Sequence, residues 1–348
     1  MTSSHDDAAF ARLVESALSE VGEVGVDPRL ARTLLIEALG LLADDPAELD
    51  LKIATAALAE MRDAFAMFRP YRSAPKVTIF GSARAQPDEP VYRQTVSIAA
   101  RLAASGWMVV TGAGPGLMQA GMEGAGRDRS IGVSIRLPFE TAANPVIAGD
   151  PKYVSMKYFF TRKLMLIKES AAFVCLPGGF GTLDETFELL TLTQTGKGQP
   201  VPIVLLDTPG DPYWEAVDQF VKEHLVTRAL VSPDDTNLYL VTDSCDLAAA
   251  EIEQFYANFD SVRFVGDQLI VRLHHAPDDA QLEQLNRDFR DLVRTGEIER
   301  TGPLRVEVRD DDRLDRARLR FDFDPHRSAL LRRFIDALNA LVVTPTVP

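Results

Sequence analysis

The chain has 348 residues and a formal net charge of −14, from 51 acidic and 37 basic residues. Such an acidic surface repels phosphate backbones, which disfavours a general nucleic-acid-binding protein but leaves room for a small anion at a local positive site. The 2 cysteines give neither a disulfide framework nor a zinc site, and we expect no metal or organic cofactor.

The sequence also gives no sign of export or of membrane insertion. Its start lacks the basic-then-apolar pattern of a signal peptide, and no apolar stretch approaches the roughly 18 residues that span a bilayer. We therefore expect a cytoplasmic protein with no membrane partner.

In chain order, the first predicted elements are helices. Apolar residues recur at three- and four-residue spacing from about residue 8 to residue 68, and Pro70 and Pro75 then mark a linker. We predict a helical segment over residues 1–73 that serves as a cap or an oligomer surface and carries no chemistry.

From Lys76 onward, short apolar runs that end in glycine alternate with helical patterns. This alternation is typical of parallel βαβ units, and nearly continuous apolar strands indicate a sheet that is covered on both faces. We predict an α/β fold with a doubly wound, Rossmann-like parallel sheet over residues 74–258. Its five predicted strands lie within 76–83, 107–116, 131–137, 171–179 and 200–207.

Residues 259–348 predict a small α+β module. One or two strands are expected over 262–273, and half-exposed strands are expected over 304–309 and 317–324. Helices are expected over 279–296 and 328–342. The module either packs against the main domain or, by domain analogy alone, binds a regulatory nucleotide.

Three predicted strands end in small, glycine-containing turns, and the carboxyl ends of the strands are where an open parallel sheet binds its ligands. The turns are FGSAR at 80–84, TGAGPGLM at 111–118 and PGGFGT at 177–182. Glycine lets a backbone approach a ligand closely, and a following helix N-terminus favours an anion. The second and third turns therefore predict a phosphate cradle. The dinucleotide spacing and the ordinary P-loop motif are both absent, which disfavours a hydride-transfer enzyme.

Glu185 has two interpretations. Thr182 and Glu185 fit a capping box at the start of a helix. Alternatively, Glu185 faces a ligand together with Arg162, which lies beside Lys163 on the preceding predicted helix. The bland interpretation of Arg162 and Lys163 is a solvated helix face.

The motifs GSAR, GAGPGLMQAGMEGA, FFTRKLM and PGGFGTLDE, in this order, resemble the Lonely Guy (LOG) family over about residues 74 to 256. That family consists of phosphoribohydrolases that act on nucleoside 5′-monophosphates, cytokinin riboside monophosphates included. Many members carry an older lysine decarboxylase label. The long relatives include general purine and pyrimidine nucleotide nucleosidases, so the resemblance leaves the base open.

The resemblance implies that Arg162 and Glu185 form a catalytic pair. It implies that the 5′-phosphate is held by the third turn with help from Ser82, and that the loop from Gly112 to Gly116 lines the nucleotide pocket. Met118 and Met156 are candidates for packing against the base, although core packing is the more ordinary role for each. The substrate-binding residues implied in this way are Gly81, Ser82, Gly112, Gly114, Gly116, Met118, Met156, Lys163, Pro177, Gly178, Gly179, Gly181 and Thr182.

The predicted reaction is hydrolysis of the N-glycosidic bond of a nucleotide, which gives free base and ribose 5-phosphate. A carboxylate at position 185 stabilises the positive charge that develops on the ribose or activates water. The family also implies a homo-oligomer, and the nucleotide is the expected small-molecule partner. The alternative is a binding protein that holds a nucleotide or a molybdenum cofactor without cleaving it.

Overall fold

The computed structural model describes residues 4–22, 27–137 and 143–342, and the chain divides into two compact units, Met1–Glu60 and Met61–Pro348. The first unit is helical, as predicted. Helix α1 spans Ser4–Val21, α2 spans Pro28–Ala43, and α3 spans Glu48–Phe68, so that its end belongs to the second unit. The Asp27 side chain caps α2 by accepting a hydrogen bond from the backbone N–H of Arg29 at 3.0 Å.

The second unit is built on a seven-stranded parallel sheet with the strand order β4-β3-β2-β1-β5-β6-β7. The strand order changes direction at β1: β2, β3 and β4 follow on one side of it, and β5, β6 and β7 follow on the other. The prediction of a doubly wound sheet is therefore confirmed. The strands are β1 Lys76–Phe80, β2 Met108–Thr111, β3 Ser130–Ile135, β4 Tyr153–Met156, β5 Ala172–Cys175, β6 Ile203–Leu206 and β7 Leu240–Thr242.

Helices cover both faces of this sheet. They are α4 Pro90–Ala104, α5 Leu117–Ala125, α6 Phe159–Lys168, α7 Phe180–Gln194, α8 Tyr213–Phe220 and α9 Cys245–Gln254. One core cluster joins Ile79 of β1 to α4, α5 and α9, and another joins Phe80 to the end of α3 and to α6, α7 and α8. Successive strand residues point to opposite faces, which is why a continuous apolar run can fill both cores.

The C-terminal part of the second unit is a four-stranded antiparallel sheet of order β10-β11-β9-β8 with its own apolar core. Helices α10 and α12 pack on this core. Its elements are β8 Phe259–Val265, β9 Gln268–Leu273, α10 Asp279–Asp288, β10 Glu299–Thr301, α11 Arg305–Arg309, β11 Ala317–Asp322 and α12 Ser328–Ala340. The predicted α+β character is confirmed.

The predicted strand over 304–309 is wrong, because this segment contains the short helix α11, and the strand in this region is β10. The alternating Leu304, Val306 and Val308 suggested a strand. Instead, the Glu307 carboxylate turns back and accepts a hydrogen bond from the backbone N–H of Leu304 at 2.9 Å, which closes the helical turn. Strands β4 and β7 were not predicted, since four and three residues give little periodic signal.

Glu307 is also the centre of a buried charge cluster. It is fully buried and accepts hydrogen bonds from Arg272 at 2.7 Å and from Arg318 at 3.2 Å, and both arginines are themselves buried. Burial alone would raise the pKa of this carboxyl, but the hydrogen bonds and the two guanidinium groups hold its pKa below the usual value. The buried carboxylate is therefore held in its ionised form between the two arginines.

We expect Glu307→Ala to lower the free energy of unfolding by about 3–5 kcal/mol, because it removes the buried anion that Arg272 and Arg318 share. Arg272 keeps its pair with Asp312 at 2.6 Å, but Arg318 keeps only backbone carbonyls among the described contacts. The matched control is Glu299→Ala, which removes an exposed pair with Arg320 at 2.8 Å and should cost about 0–1 kcal/mol. Urea unfolding of both variants measures the difference. Equal losses would mean that the buried cluster contributes no more than a surface pair.

None of the helices within the described ranges is both long enough and apolar enough to cross a membrane.

Candidate active site

A cavity of about 870 Å³ opens at the carboxyl ends of the strands, where this kind of sheet is expected to bind ligands. Its walls come from the turns after β1, β2 and β5, from the ends of β3 and β4, and from the first turns of α6 and α7. The three glycine-containing turns that the sequence singled out therefore meet in one place.

The turn after β5 lines one end of the cavity. Helix α7 begins at Phe180 behind Gly179, and no side chain caps it. The first amides of a helix have no partner within the helix, so this uncapped end presents backbone N–H donors to the cavity. A Cβ on Gly178 would overlap the Thr182 hydroxyl, which explains the need for glycine there.

The turn after β1 lies directly beside the turn after β5. The backbone N–H of Ser82 donates to the carbonyl of Pro177 at 3.2 Å, and the Ser82 hydroxyl accepts from the backbone N–H of Arg84 at 3.1 Å. Gly116 ties the turn after β2 to the same place, since a Cβ on it would overlap the Ser82 carbonyl, and its φ is +65°. The turns thus form a single backbone cradle.

Arg162 and Glu185 meet in the middle of the cavity. The Arg162 Nη1 atom lies 3.4 Å from the Glu185 Oε1 atom, and the Arg162 Nε–H donates to the carbonyl of Val133 at 3.1 Å. Both side chains are nearly buried, with exposed fractions of 11% and 12%. A Cβ on Gly112 would overlap the Arg162 guanidinium, so this glycine makes room for the arginine.

Glu185 does not cap its helix. Helix α7 begins two residues before Thr182, with Gly179 at the N-cap, and the helix has no side-chain cap hydrogen bond. The capping-box interpretation is therefore wrong, and the carboxylate is directed to Arg162 instead. Burial raises the pKa of Glu185 to about 7, an effect that Arg162 and Lys163 oppose only in part.

Most of the predicted substrate-binding residues line the cavity, but four do not. Met156 is fully buried in the core on the other face of β4, which supports its core-packing interpretation. Gly116 and Pro177 support the cradle from behind through the contacts given above. Those that line it are Gly81, Ser82, Gly112, Gly114, Met118, Gly178, Gly179, Gly181 and Thr182.

Lys163 is the fourth residue outside the cavity. Its ammonium group pairs with Asp184 at 2.6 Å and with Glu188 at 2.8 Å, on the outer side of α6 and α7. Adjacent helix residues point in directions about 100° apart, so Arg162 and Lys163 cannot both face the same ligand. The charge of Lys163 nevertheless reaches the site, since it lowers the pKa of Glu185.

Sequence reasoning missed several lining residues. Arg84 could have been found, because it directly follows Ser82 in a turn that was already selected, and Arg136 stands just past the end of β3. Tyr153 and Ser155 lie on β4, a strand too short to predict. The other missed polar or aromatic lining residues are Ser134, Phe159, Phe180 and Tyr213.

The cavity is locally positive although the chain is acidic. Among the described residues that line it, the charged ones are Arg84, Arg136, Arg162 and Glu185. With the uncapped N-terminus of α7, these arginines make the local positive site that a small anion requires in a chain of net charge −14. Within the described ranges, no cluster of three or more His, Cys, Asp or Glu side chains is arranged to hold a metal ion.

Comparisons with known proteins find matches to one family. Residues 116–252 match the family model described as "Possible lysine decarboxylase". A probable cytokinin riboside 5′-monophosphate phosphoribohydrolase of Oryza sativa subsp. japonica, LOGL3, is 28% identical over 184 residues, which cover 51% of this chain and 83% of the relative. The enzyme LOG7 of Arabidopsis thaliana is 27% identical over 118 residues, which cover 33% of this chain and 52% of that relative.

Solved structures that match part of this chain include two molybdenum cofactor proteins. The carrier protein of Chlamydomonas reinhardtii is 19% identical, with a TM-score of 0.36, over 52% of this chain and 97% of its own. The binding protein of Rippkaea orientalis is 18% identical, with a TM-score of 0.34, over 52% of this chain and 96% of its own. The family and sequence matches confirm the predicted resemblance to the LOG family.

Proposed function

We propose that this protein is a phosphoribohydrolase that cleaves nucleoside 5′-monophosphates to free base and ribose 5-phosphate. The observation that carries the proposal is the nearly buried Arg162–Glu185 pair beside a backbone cradle for an anion. The names of the similar plant enzymes support the same reaction class.

In this proposal the 5′-phosphate binds at the uncapped start of α7, beside Ser82 and Arg84. The helix N-terminus and the guanidinium of Arg84 both favour a dianion. Because the phosphate is not changed in the reaction, its binding energy serves to position the ribose next to Glu185.

The chemical step breaks the bond between the ribose C1′ carbon and the base nitrogen and forms a bond from C1′ to the oxygen of water. The Glu185 carboxylate stabilises the positive charge that develops on the ribose and accepts one proton from the water. That proton ends on the departing base, and the other stays in the new hydroxyl group. Arg162 orients Glu185 and stabilises negative charge on the leaving base by hydrogen bonding.

The direct test is incubation of the full chain with adenosine, guanosine, cytidine and isopentenyladenosine 5′-monophosphates, with chromatography for free base. The proposal predicts base release from at least one of them. If no base is released from any nucleotide and native mass spectrometry finds a stoichiometric bound ligand instead, the protein is a carrier and the proposed reaction is wrong.

The pH dependence of kcat/KM should show an acidic limb with a midpoint near 7. Since burial raises the pKa of Glu185 to about 7, the carboxylate is ionised only above this pH, and activity should fall about tenfold per pH unit below it. A pH–rate profile from pH 5 to pH 9 measures the midpoint.

Lys163→Gln is the variant that separates this limb from titration of the substrate phosphate. Lys163 lies outside the cavity and lowers the pKa of Glu185, so its removal should move the acidic limb to higher pH. A limb that stays in place in Lys163→Gln would assign it to the substrate instead of to Glu185.

A further inference from the structure

The end of the cavity away from the phosphate cradle is lined by polar side chains that the reaction itself does not use. They come from β3 and β4, at one edge of the sheet, and from the residue just past the end of β3. Four of them form what we term the polar wall: Ser134, Arg136, Tyr153 and Ser155.

The register of the two strands explains why these side chains lie together. Ser134 pairs directly with Ser155, and Tyr153 lies two residues before Ser155 on the same strand. Because side chains two residues apart share a face, Tyr153 and Ser155 lie on one face of the sheet with Ser134. The backbone N–H of Arg136 donates to the carbonyl of Met156 at 2.7 Å, which extends the pairing and places Arg136 on the face of Ser134.

The opposite face of the same strands is apolar and buried. Val133 and Met156 are fully buried within a core cluster, to which the partly buried Val154 adds. On these two strands, polar side chains therefore lie on the face towards the cavity, and apolar side chains lie on the face towards the core. The Ser134 and Tyr153 hydroxyl oxygens are 2.7 Å apart, so one hydroxyl donates to the other, and the second hydrogen remains able to donate to a ligand.

The position of the polar wall matches one part of a nucleotide. The phosphate cradle lies at the ends of β1 and β5, and the Arg162 guanidinium lies against Gly112 at the end of β2. The polar wall follows on β3 and β4. Neighbouring strands are about 4.8 Å apart, so the wall begins about 10 Å from β1 along the sheet. Phosphate, ribose and base would thus occupy successive strand ends.

We infer that the polar wall binds the edge of the base and selects nucleotides whose base carries a ring carbonyl, with Arg136 as the specificity-determining residue. This inference rests on the proposed binding of a nucleotide in the cavity. Arginine and hydroxyl donors match a carbonyl oxygen, as in the recognition of guanine by arginine. An exocyclic amino group finds no acceptor on the Arg136 guanidinium, which only donates hydrogen bonds, and an isoprenoid substituent would cover the polar wall with apolar surface.

The matched probes are inosine and adenosine 5′-monophosphates, which share phosphate, ribose and purine ring. They differ at C6, a carbonyl against an amino group, and at N1, which carries a hydrogen only in inosine. We expect the wild-type chain to have a kcat/KM about tenfold or more higher for inosine monophosphate. In Arg136→Met this ratio should fall towards one. The matched control is Arg84→Met, another arginine of the cavity, which should lower kcat/KM for both nucleotides and leave their ratio unchanged.

Binding measurements keep this test separate from the proposed reaction. Calorimetry on Glu185→Gln should show the same preference for inosine monophosphate in Kd, and on Glu185→Gln/Arg136→Met it should show none. If no nucleotide is hydrolysed but this binding preference appears and depends on Arg136, the reaction is wrong and the polar wall stands. Equal affinities for the two nucleotides, or a preference that survives Arg136→Met, would overturn the inference.

Discussion

Glu185→Gln should reduce kcat by about 10²–10⁴-fold while the chain stays folded. The amide keeps the size of the side chain and can still accept a hydrogen bond from Arg162, which lies 3.4 Å from the carboxylate. It cannot carry the negative charge that stabilises the ribose cation or accept a proton from water. Steady-state rates of base release measure the loss, and circular dichroism checks the fold.

The same variant also has a stability signature, which reports the raised pKa of Glu185. The pKa of Glu185 is raised to about 7 in the folded chain, above its ordinary value of 4.5, so the folded state favours the neutral acid. The resulting stability is present below pH 4.5 and is lost as pH rises through 7. A difference of this size is on the order of 3 kcal/mol.

Urea unfolding at pH 4 and pH 8 should therefore show that Glu185→Gln gains stability relative to wild type as pH rises. Both proteins share all other titrating groups, so the comparison isolates Glu185. A variant that keeps full activity, or one that unfolds at every pH, would contradict the role that we give this carboxylate.

Gly112→Ala should lower kcat/KM by about 10²-fold, through displacement of Arg162. The backbone of Gly112 has an ordinary φ, so alanine is tolerated conformationally. Its Cβ, however, would overlap the Arg162 guanidinium and lie 2.6 Å from the sulfur of Met118. The guanidinium has to move away from Glu185 and from the carbonyl of Val133. Because this displacement weakens the opposing charge, the acidic limb of kcat/KM should also move to higher pH.

Gly114→Ala is the matched control for this prediction. It lies in the same loop, and its Cβ would meet only the flexible end of Met118, at 2.7 Å, which can turn aside. We expect a loss of less than tenfold and an unchanged acidic limb. Equal losses of kcat/KM in the two variants would mean that the loop is sensitive to any added methyl group. They would contradict the claim that Gly112 is needed to leave room for Arg162.

Much of the fold could be predicted because its signals are local. The apolar runs of β1, β2, β5 and β6 end in glycine, proline or aspartate, and the intervening helices have clear periodicity. The missed elements are short or misleading. Strand β4 has four residues, and the alternation at 304–309 belongs to a helix that is closed by Glu307.

The parts of the candidate site that lie in sequence motifs were predicted. The parts that depend on how helices and strands pack together were missed. The cradle follows from glycine-containing motifs next to predicted strand ends, and the Arg162–Glu185 pair follows from the order of motifs that resembles the LOG family. The direction of Lys163 depends on the packing of α6 against α7, and burial of Met156 depends on the face of a strand that was not predicted. For the same reason, the polar wall has no signature in the sequence.

The measurement that tests the central claim most directly is the product balance of the purified wild-type chain with inosine 5′-monophosphate. Cleavage of the N-glycosidic bond predicts free base and ribose 5-phosphate in equal amounts, each matching the nucleotide consumed, with release of both slowed by about 10²-fold or more in Glu185→Gln. Release of inosine and inorganic phosphate instead, or an equal rate of base release from Glu185→Gln, would contradict it.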